Sequence, residues 1–206
     1  MSLLYGYEAV ASFGPFLVAF GWVLWRRRRQ GQHTTCATLW LIALFAAYMA
    51  AVYHVTGAGT LFEWLRFRGE LRLMQVNLIP FSREIDPVAY ALNGVLLLPL
   101  GALVPLIWWR MDRLWKVLLL GFAVSLLVEM SQLLNTRSPD IDDLILNTLG
   151  AVLGFGVFRL WERLTVTHFA LGDGPLALLP VSILLPFMGR FLLFHEMGFA
   201  GRVFGF

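Results

Sequence analysis

Six apolar runs divide the chain, and a shorter polar or charged segment separates each run from the next. They cover residues 9–25, 38–55, 88–109, 114–134, 144–160 and 175–194. A helix needs about 20 predominantly apolar residues to cross a bilayer. The pattern therefore predicts an all-α protein, a polytopic transmembrane helix bundle of about six spans. Glu8 and Pro15 weaken the first run, and the bundle has five spans if that run does not cross.

Composition supports the membrane class. The chain has 206 residues, of which 59% are hydrophobic and 14% charged, and its mean hydropathy is +0.72. Ordinary soluble domains are about 25% charged, so a soluble domain is excluded. Cys36 is the only cysteine, which excludes an intramolecular disulfide and a cysteine-based metal site. The net charge of +3 comes almost wholly from arginines that flank apolar runs, so no nucleic-acid partner is expected.

The distribution of basic residues predicts the orientation of the bundle. If the N-terminus lies outside, nine basic residues fall on the inner side and seven on the outer side. The four consecutive arginines at 26–29 decide the choice, because clustered charges beside a span favour the cytoplasmic side. If the first run does not span, the C-terminus moves inside. With the N-terminus outside, the segment 57–86 is extracytoplasmic, and its arginine-rich part is predicted to lie along the membrane surface.

Three polar residues lie inside different apolar runs at similar depths. At the rise of an α-helix, Asn93, Glu129 and Asn147 lie about 9, 8 and 6 Å below the predicted outer surface. Ionisable groups at membrane depth are costly and survive mainly where they face the bundle interior. We therefore expect these side chains to share an outward-facing polar pocket, in which Glu129 is the residue that a purely structural role explains least.

Helical spacing places further polar residues on the same faces. One face of the fourth run carries Ser125, Glu129 and Gln132, and one face of the fifth carries Asp143, Asn147, Gly150 and Gly154. The two glycines form a G-x-x-x-G pair, which permits close approach between membrane helices. Since about nine loop residues join the two runs, they are predicted to form an antiparallel hairpin.

Simpler structural roles remain open for several of these residues. Asp140 and Asp143 have the spacing of a helix N-cap with an acidic third position, and Arg137 can pair with a neighbouring aspartate. Gln132 and Asn93 can be hydrogen bonds that hold helices together. As a weaker alternative, Asp140, Asp142 and Asp143 could supply oxygen ligands to Mg²⁺. No other metal and no cofactor is expected.

Five short motifs occur in a defined order. They are NLIPF at 77–81, N-x-x-x-x-x-P-x-G at 93–101, E-x-x-Q at 129–132, R-x-x-D-I-D-D at 137–143 and N-x-x-G at 147–150. Together they resemble the VanZ family over residues 75–158. The signature positions implied by the resemblance are Asn77, Pro80, Phe81, Asn93, Glu129, Gln132, Arg137, Asp140, Asp142, Asp143 and Asn147. All of these except Pro80 and Phe81 are predicted to contact a ligand.

The resemblance implies a small, multi-pass protein of the bacterial cytoplasmic membrane, linked to reduced susceptibility to teicoplanin-type glycopeptides. The chain then divides into residues 1–74, with two helices and the interfacial segment, a VanZ-like core of three helices at 75–160, and a last helix and tail at 161–206. The shortest members of the family carry a single span before the NLIPF motif, so one N-terminal span is an addition here.

The function that follows is binding of an amphiphilic or lipid-linked ligand in an outer-leaflet pocket. The expected partners are membrane lipid and either a lipoglycopeptide or a lipid-linked cell-wall precursor; the sequence does not fix the oligomeric state. Two alternatives stay open. One is an enzyme acting on a polyprenyl or glycolipid head group, with Glu129 as general base and the loop aspartates as metal ligands. The other is a membrane scaffold, in which apolar replacement of Glu129 is tolerated.

Overall fold

The computed structural model describes residues 2–66, 76–82, 86–135, 138–165 and 174–195. These residues form α-helices, one short 3₁₀ helix and no strand, which confirms the all-α prediction. The helices are α1 (Ser2–Arg29), α2 (Cys36–Val55), α3 (Leu61–Arg66), α4 (Pro87–Leu96), α5 (Leu98–Ile107), α6 (Leu114–Gln132), α7 (Ile141–Leu164) and α8 (Leu178–Leu193).

Five helical stretches within the described residues are long and apolar enough to cross a membrane, which confirms a multi-pass protein. They include the first apolar run, because α1 extends over 28 residues with Pro15 inside it. The sixth run forms α8, which has only 16 residues and is the short member of the set. The sequence singled out the first run as the doubtful span, whereas the structure makes the last one the short helix.

Glu8 is a buried acid inside α1, and two basic side chains on other helices pair with it. Its carboxylate lies 2.8 Å from His54 Nδ1 on α2 and 3.2 Å from Arg190 Nε on α8. Glu8 and Arg190 are both buried, and pairing is what allows such charges to lie inside a membrane bundle. A residue that weakened the first apolar run therefore holds three helices together.

The third span is one continuous apolar run in the sequence but two helices in the structure. α4 ends at Leu96 and α5 begins at Leu98, with a turn at Leu97. Pro99 lacks an amide N–H, and its ring collides with the carbonyl of the residue four positions earlier, so the helix breaks here. Gly101 then lies against α7, where a Cβ on it would be 1.9 Å from the Ala151 carbonyl oxygen.

Two packed groups make up the bundle. α7 lies between the third span and α6, which confirms the predicted antiparallel hairpin of α6 and α7. Its G-x-x-x-G pair faces α4 and α5: Cβ atoms on Gly150 and Gly154 would lie 2.4 Å from the Gly94 oxygen and 2.0 Å from the Leu98 oxygen. In the second group, α8 packs against both α1 and α2.

The helix directions bring residues 77–82, Asn93, Glu129 and the D-I-D-D sequence at 140–143 to one end of the bundle. We call this the motif end; it contains the N-termini of α1, α4 and α7 and the C-termini of α2, α6 and α8. Contacts such as that of Gln132 Nε2 with the Thr56 oxygen, 3.0 Å, join elements there. The opposite, basic end carries the arginines at 26–29, and Arg159 pairs there with Asp112 at 3.0 Å.

Candidate functional site

The NLIPF motif is fastened to the start of α7. Asn77 and Asp140 form an isolated parallel β-bridge, in which the Asn77 amide donates to the Pro139 oxygen and the Ile141 amide donates to the Asn77 oxygen, each at 3.0 Å. Asn77 Nδ2 also lies 3.2 Å from both carboxylate oxygens of Asp140. Two segments that are 63 residues apart in sequence are therefore joined by backbone and side-chain bonds together.

Asn77 also shapes the turn that follows it. Its Oδ1 accepts hydrogen bonds from the Ile79 amide at 3.2 Å and from Ser82 Oγ at 3.0 Å. A side chain that bonds the backbone two residues later forms an Asx turn, which is a common role of asparagine in loops. We call residues 77–82 the motif loop; its two ends are held by the same side chain.

Asp142 holds the far side of the motif loop. One carboxylate oxygen accepts the Phe81 amide at 2.8 Å and the other accepts the hydroxyl of Tyr90 on α4. Asp142 is only 2% exposed. Phe81 has φ 55°, and it is the only non-glycine residue in the left-handed region among those described. Such a conformation is unfavourable for a bulky side chain and persists where surrounding bonds impose it.

Glu129 on α6 bonds the backbone of Asp140, the residue to which the motif loop is attached. It is 7% exposed, and its Oε2 accepts the Asp140 amide at 3.1 Å. Asp140 itself caps α7, since its side chain accepts the Asp142 amide at 3.0 Å. The N-cap predicted for Asp140 is thereby confirmed, and the acid predicted to be functional bonds the backbone of that cap.

Asn93 and Asn147 have separate partners. Asn93 Nδ2 donates to the carboxylate of Asp143, which links α4 to the first turn of α7. Asn147 Nδ2 donates to Ser125 Oγ at 3.2 Å, one helical turn below Glu129 on α6. Asn147 Oδ1 is buried without a hydrogen-bond partner among the described residues. The polar residues at similar depth thus lie on touching helices but form pairs at different levels.

The bonded residues leave an apolar tip on the motif loop. Leu78, Ile79 and Phe81 are 72%, 69% and 56% exposed, although the backbone that carries them is held at both ends. The Phe81 and Tyr90 rings lie 6.4 Å apart between centroids, so Phe81 contacts α4 on one side. The site is therefore a turn, held by hydrogen bonds at both ends, that presents three large apolar side chains at the motif end.

Comparison with known proteins identifies the family. A profile described as VanZ/LLP1 matches residues 39–162, which is more than half of the chain. The chain belongs to the VanZ/LLP1 family. No curated protein and no solved structure matches it. The VanZ/LLP1 match starts inside α2 and ends inside α7, so α1 and α8 lie outside it.

The VanZ-like motifs account for only part of the site as it is built. Tyr90 completes the pairing of Asp142, and tyrosine in an apolar run carries no distinctive sequence signal. Ser131 Oγ accepts the Gly59 amide at 3.2 Å, and Asn135 Nδ2 donates to the Gly57 oxygen at 2.9 Å. With Gln132, these residues bond the C-terminal end of α6 to the segment that follows α2. The cluster of polar residues at the end of the fourth apolar run is the sequence signal for this contact.

Two predicted roles stand differently in this VanZ/LLP1 protein. Arg137 lies outside the described residues, so its ligand contact stays a prediction. In the part of the chain that the structure covers, no group of three or more His, Cys, Asp and Glu side chains is placed to hold a metal ion. Asp140, Asp142 and Asp143 bond instead to Asn77, to Tyr90 with the Phe81 amide, and to Asn93.

Proposed function

We propose that this VanZ/LLP1 protein binds an amphiphilic or lipid-linked ligand at the outer leaflet and thereby reduces susceptibility to teicoplanin-type glycopeptides. The observation that carries the proposal is the exposed apolar tip of the motif loop, Leu78, Ile79 and Phe81. Family membership supports the link to glycopeptides. Lipoglycopeptides carry acyl tails and act at the outer leaflet, so an apolar surface there can meet both the drug and its lipid-linked target.

The construction of the loop supports a binding role. Asp142 and Glu129 are buried carboxylates used to hold backbone amides of the loop and its anchor. A typical hydrogen bond contributes about 0.5–1.5 kcal/mol, and one to a charged group about 1.5–3 kcal/mol, so these bonds stabilise a turn whose tip is largely exposed. Leu78, Ile79 and Phe81 lie on a loop outside the membrane-spanning helices, and loops held by a helical scaffold commonly carry binding residues. A strained residue such as Phe81 is typical of functional loops.

In this proposal the residues divide into two roles. Leu78, Ile79 and Phe81 contact the apolar part of the ligand. Asn77, Asn93, Glu129, Asp140, Asp142 and Asp143 are positioning residues that hold the loop, and Gln132 and Asn147 hold the helices beneath it. Arg137 remains the candidate for an anionic group of the ligand.

The proposal includes a membrane location and an orientation. We place the protein in the bacterial cytoplasmic membrane, with the motif end and the N-terminus outside. The arginines at 26–29, with Arg110, Arg113 and Lys116, lie at the opposite end, and clustered basic residues favour the cytoplasmic side.

A resistance assay in a glycopeptide-sensitive host tests the proposal. We expect a Leu78→Ser/Ile79→Ser double variant to lose protection against teicoplanin at equal membrane abundance. Leu164→Ser is the matched control, because Leu164 is also highly exposed but lies at the basic end of α7. Protection by the double variant equal to that of the unmodified protein contradicts the proposal.

Substitutions of Glu129 separate positioning from catalysis. Glu129→Gln keeps an oxygen that can accept the Asp140 amide, whereas Glu129→Leu does not. A positioning role therefore predicts that the Gln variant retains most of the protection and the Leu variant loses it. Equal loss in both variants favours the alternative of a carboxylate base in an enzyme, and full protection by the Leu variant favours a scaffold.

A further inference from the structure

A groove runs between α1 and α2 on the side away from α8. Its cavity volume is about 650 Å³, within the range of about 300–1,000 Å³ that is usual for small-molecule sites. Its walls are apolar over most of their length. They are formed by residues of α1 between Tyr5 and Leu17 and by residues of α2 between Ala47 and His54.

The groove exists because small residues face each other without closing. Ala47, Ala50 and Ala51 lie opposite Ala9 and Gly14, and such residues ordinarily let membrane helices approach closely. Here a Cβ on Gly14 would meet no atom within 4 Å. The helices share far less contact with each other than each shares with α8.

α8 keeps the groove open by holding α1 on its other side. Gly189 lies so close to α1 that a Cβ on it would be 2.3 Å from the Ala11 oxygen. On α2, Tyr53 donates a hydrogen bond to the Ile183 oxygen of α8 at 3.0 Å. With both helices fastened to α8, the gap between their outer faces is a fixed feature of the fold.

The end of the groove nearest the motif end is polar. Glu8 and His54 line it, their side chains lie 2.8 Å apart, and the His54 side chain is 48% exposed. Arg190 pairs with Glu8 from the side of α8, so the carboxylate is neutralised locally. The Tyr5 ring packs edge-on to the His54 ring at 5.8 Å. The apolar groove thus ends at the paired side chains of Glu8 and His54, near the motif end of the bundle.

We propose that this groove holds one hydrocarbon chain of a membrane amphiphile, with the polar head at the Glu8–His54 end. An apolar groove with one polar end matches the shape and polarity of a single hydrocarbon chain that carries a polar head group. Val10 and Leu17 on its rim are exposed, so a chain can enter sideways from the bilayer. The site is separate from the proposed function, because no residue of the sequence motifs lines it.

Photo-crosslinking in lipid nanodiscs tests the groove. The probe is a single-chain phospholipid with a diazirine at mid-chain, added to phosphatidylglycerol–phosphatidylethanolamine discs that contain the full-length protein. Mass spectrometry of the peptides is expected to find labelling concentrated on residues 9–17 and 47–51. Gly14→Leu fills the groove and is expected to remove most of that labelling.

Gly21→Leu is the matched control, because Gly21 lies on the same helix, a Cβ on it would meet no atom within 4 Å, and it does not line the groove. Ala50→Leu fills the groove from the opposite wall, which covers the case in which Gly14→Leu does not fold. Labelling spread evenly over the lipid-facing helices, or reduced equally by Gly21→Leu, overturns the proposal.

A probe with the diazirine next to the head group tests the direction of the chain. It is expected to label residues near Tyr5 and His54, and labelling near Leu17 instead overturns the assigned direction. Leu78→Ser/Ile79→Ser is expected to leave all groove labelling unchanged, so failure of this site and failure of the motif-loop site are distinguishable.

Discussion

Removal of the Asp142 carboxylate is the sharpest perturbation of the motif loop. Asp142→Ala deprives the Phe81 amide and the Tyr90 hydroxyl of their acceptor at once. A hydrogen bond to a charged group contributes about 1.5–3 kcal/mol. Because water reaches the exposed turn and partly replaces the carboxylate, we take about 2 kcal/mol as the destabilisation of the loop.

Hydrogen–deuterium exchange measures this effect locally. A destabilisation of about 2 kcal/mol corresponds to about 30-fold faster exchange when local opening governs it. The acceleration is expected at the amides of the motif loop, including Phe81, and at Ile141, whose amide bonds the Asn77 oxygen. Asp142→Asn retains one acceptor oxygen, so it is expected to fall between the unmodified protein and Asp142→Ala.

Glu63→Ala provides a matched control for Asp142→Ala. Glu63 is also a carboxylate that accepts a backbone amide, that of Thr60 at 2.7 Å, but it belongs to the first turn of α3. It is expected to leave exchange in residues 77–82 unchanged. Unaltered exchange of the motif loop in Asp142→Ala, or equal acceleration in Glu63→Ala, refutes the assignment of Asp142 as the residue that holds the loop.

Two further predictions concern the packing of α7 and the charged residues at the basic end. Gly154→Ala places a Cβ 2.0 Å from the Leu98 oxygen, so it is expected to destabilise the bundle by about 1–3 kcal/mol. Gly156→Ala is the control, because a Cβ on Gly156 would meet no atom within 4 Å, and it is expected to leave stability unchanged. Thermal unfolding followed by tryptophan fluorescence measures both, and equal midpoints for the two variants refute the close packing. Burial raises the pKa of Asp112 above its ordinary value of 3.8, against the opposing effect of Arg159. A raised carboxyl pKa means that the folded state binds the proton more tightly than the unfolded state. The stability contributed by this group therefore falls as pH rises from 3.8 through the raised pKa. Asp112→Asn is expected to flatten the pH dependence of the free energy of unfolding in this range, and an unchanged pH profile contradicts the prediction.

The hydrophobic pattern was sufficient to predict the class and one helix pair, that of α6 and α7. The six apolar runs correspond to α1, α2, the α4–α5 pair, α6, α7 and α8. The short loop between α6 and α7 correctly indicated a hairpin. Length and composition suffice here because the bilayer sets both the number of apolar residues and their continuity.

The partners of the polar residues could not be predicted from spacing. Spacing placed Asn93, Glu129 and Asn147 at similar depth, but it does not show which of them meet. The structure pairs Asn93 with Asp143 and Asn147 with Ser125, and gives Glu129 a backbone amide as its partner. These choices depend on helix rotation and on the path of the motif loop, which are set by packing in three dimensions.

The charged cluster at α8 was missed for a related reason. Glu8 and Arg190 are each unfavourable in an apolar run, and each alone argues against a span. They are 182 positions apart, and only the packing of α8 against α1 brings the Glu8 Oε1 and Arg190 Nε atoms to 3.2 Å. Opposite charges inside two apolar runs are the sequence signal that could have suggested the pair.

Direct binding of an acyl-tailed, teicoplanin-type glycopeptide to the protein in nanodiscs tests most directly whether the apolar tip of the motif loop is the contact surface. Burial of a Leu or Ile side chain contributes about 1.5–3 kcal/mol, so Leu78→Ser/Ile79→Ser is expected to weaken binding by at least about tenfold. Hydrogen exchange of residues 77–82 should stay as in the unmodified protein, which shows that the loop itself is intact. Unchanged affinity in the double variant, with the loop intact, contradicts the central role of the tip.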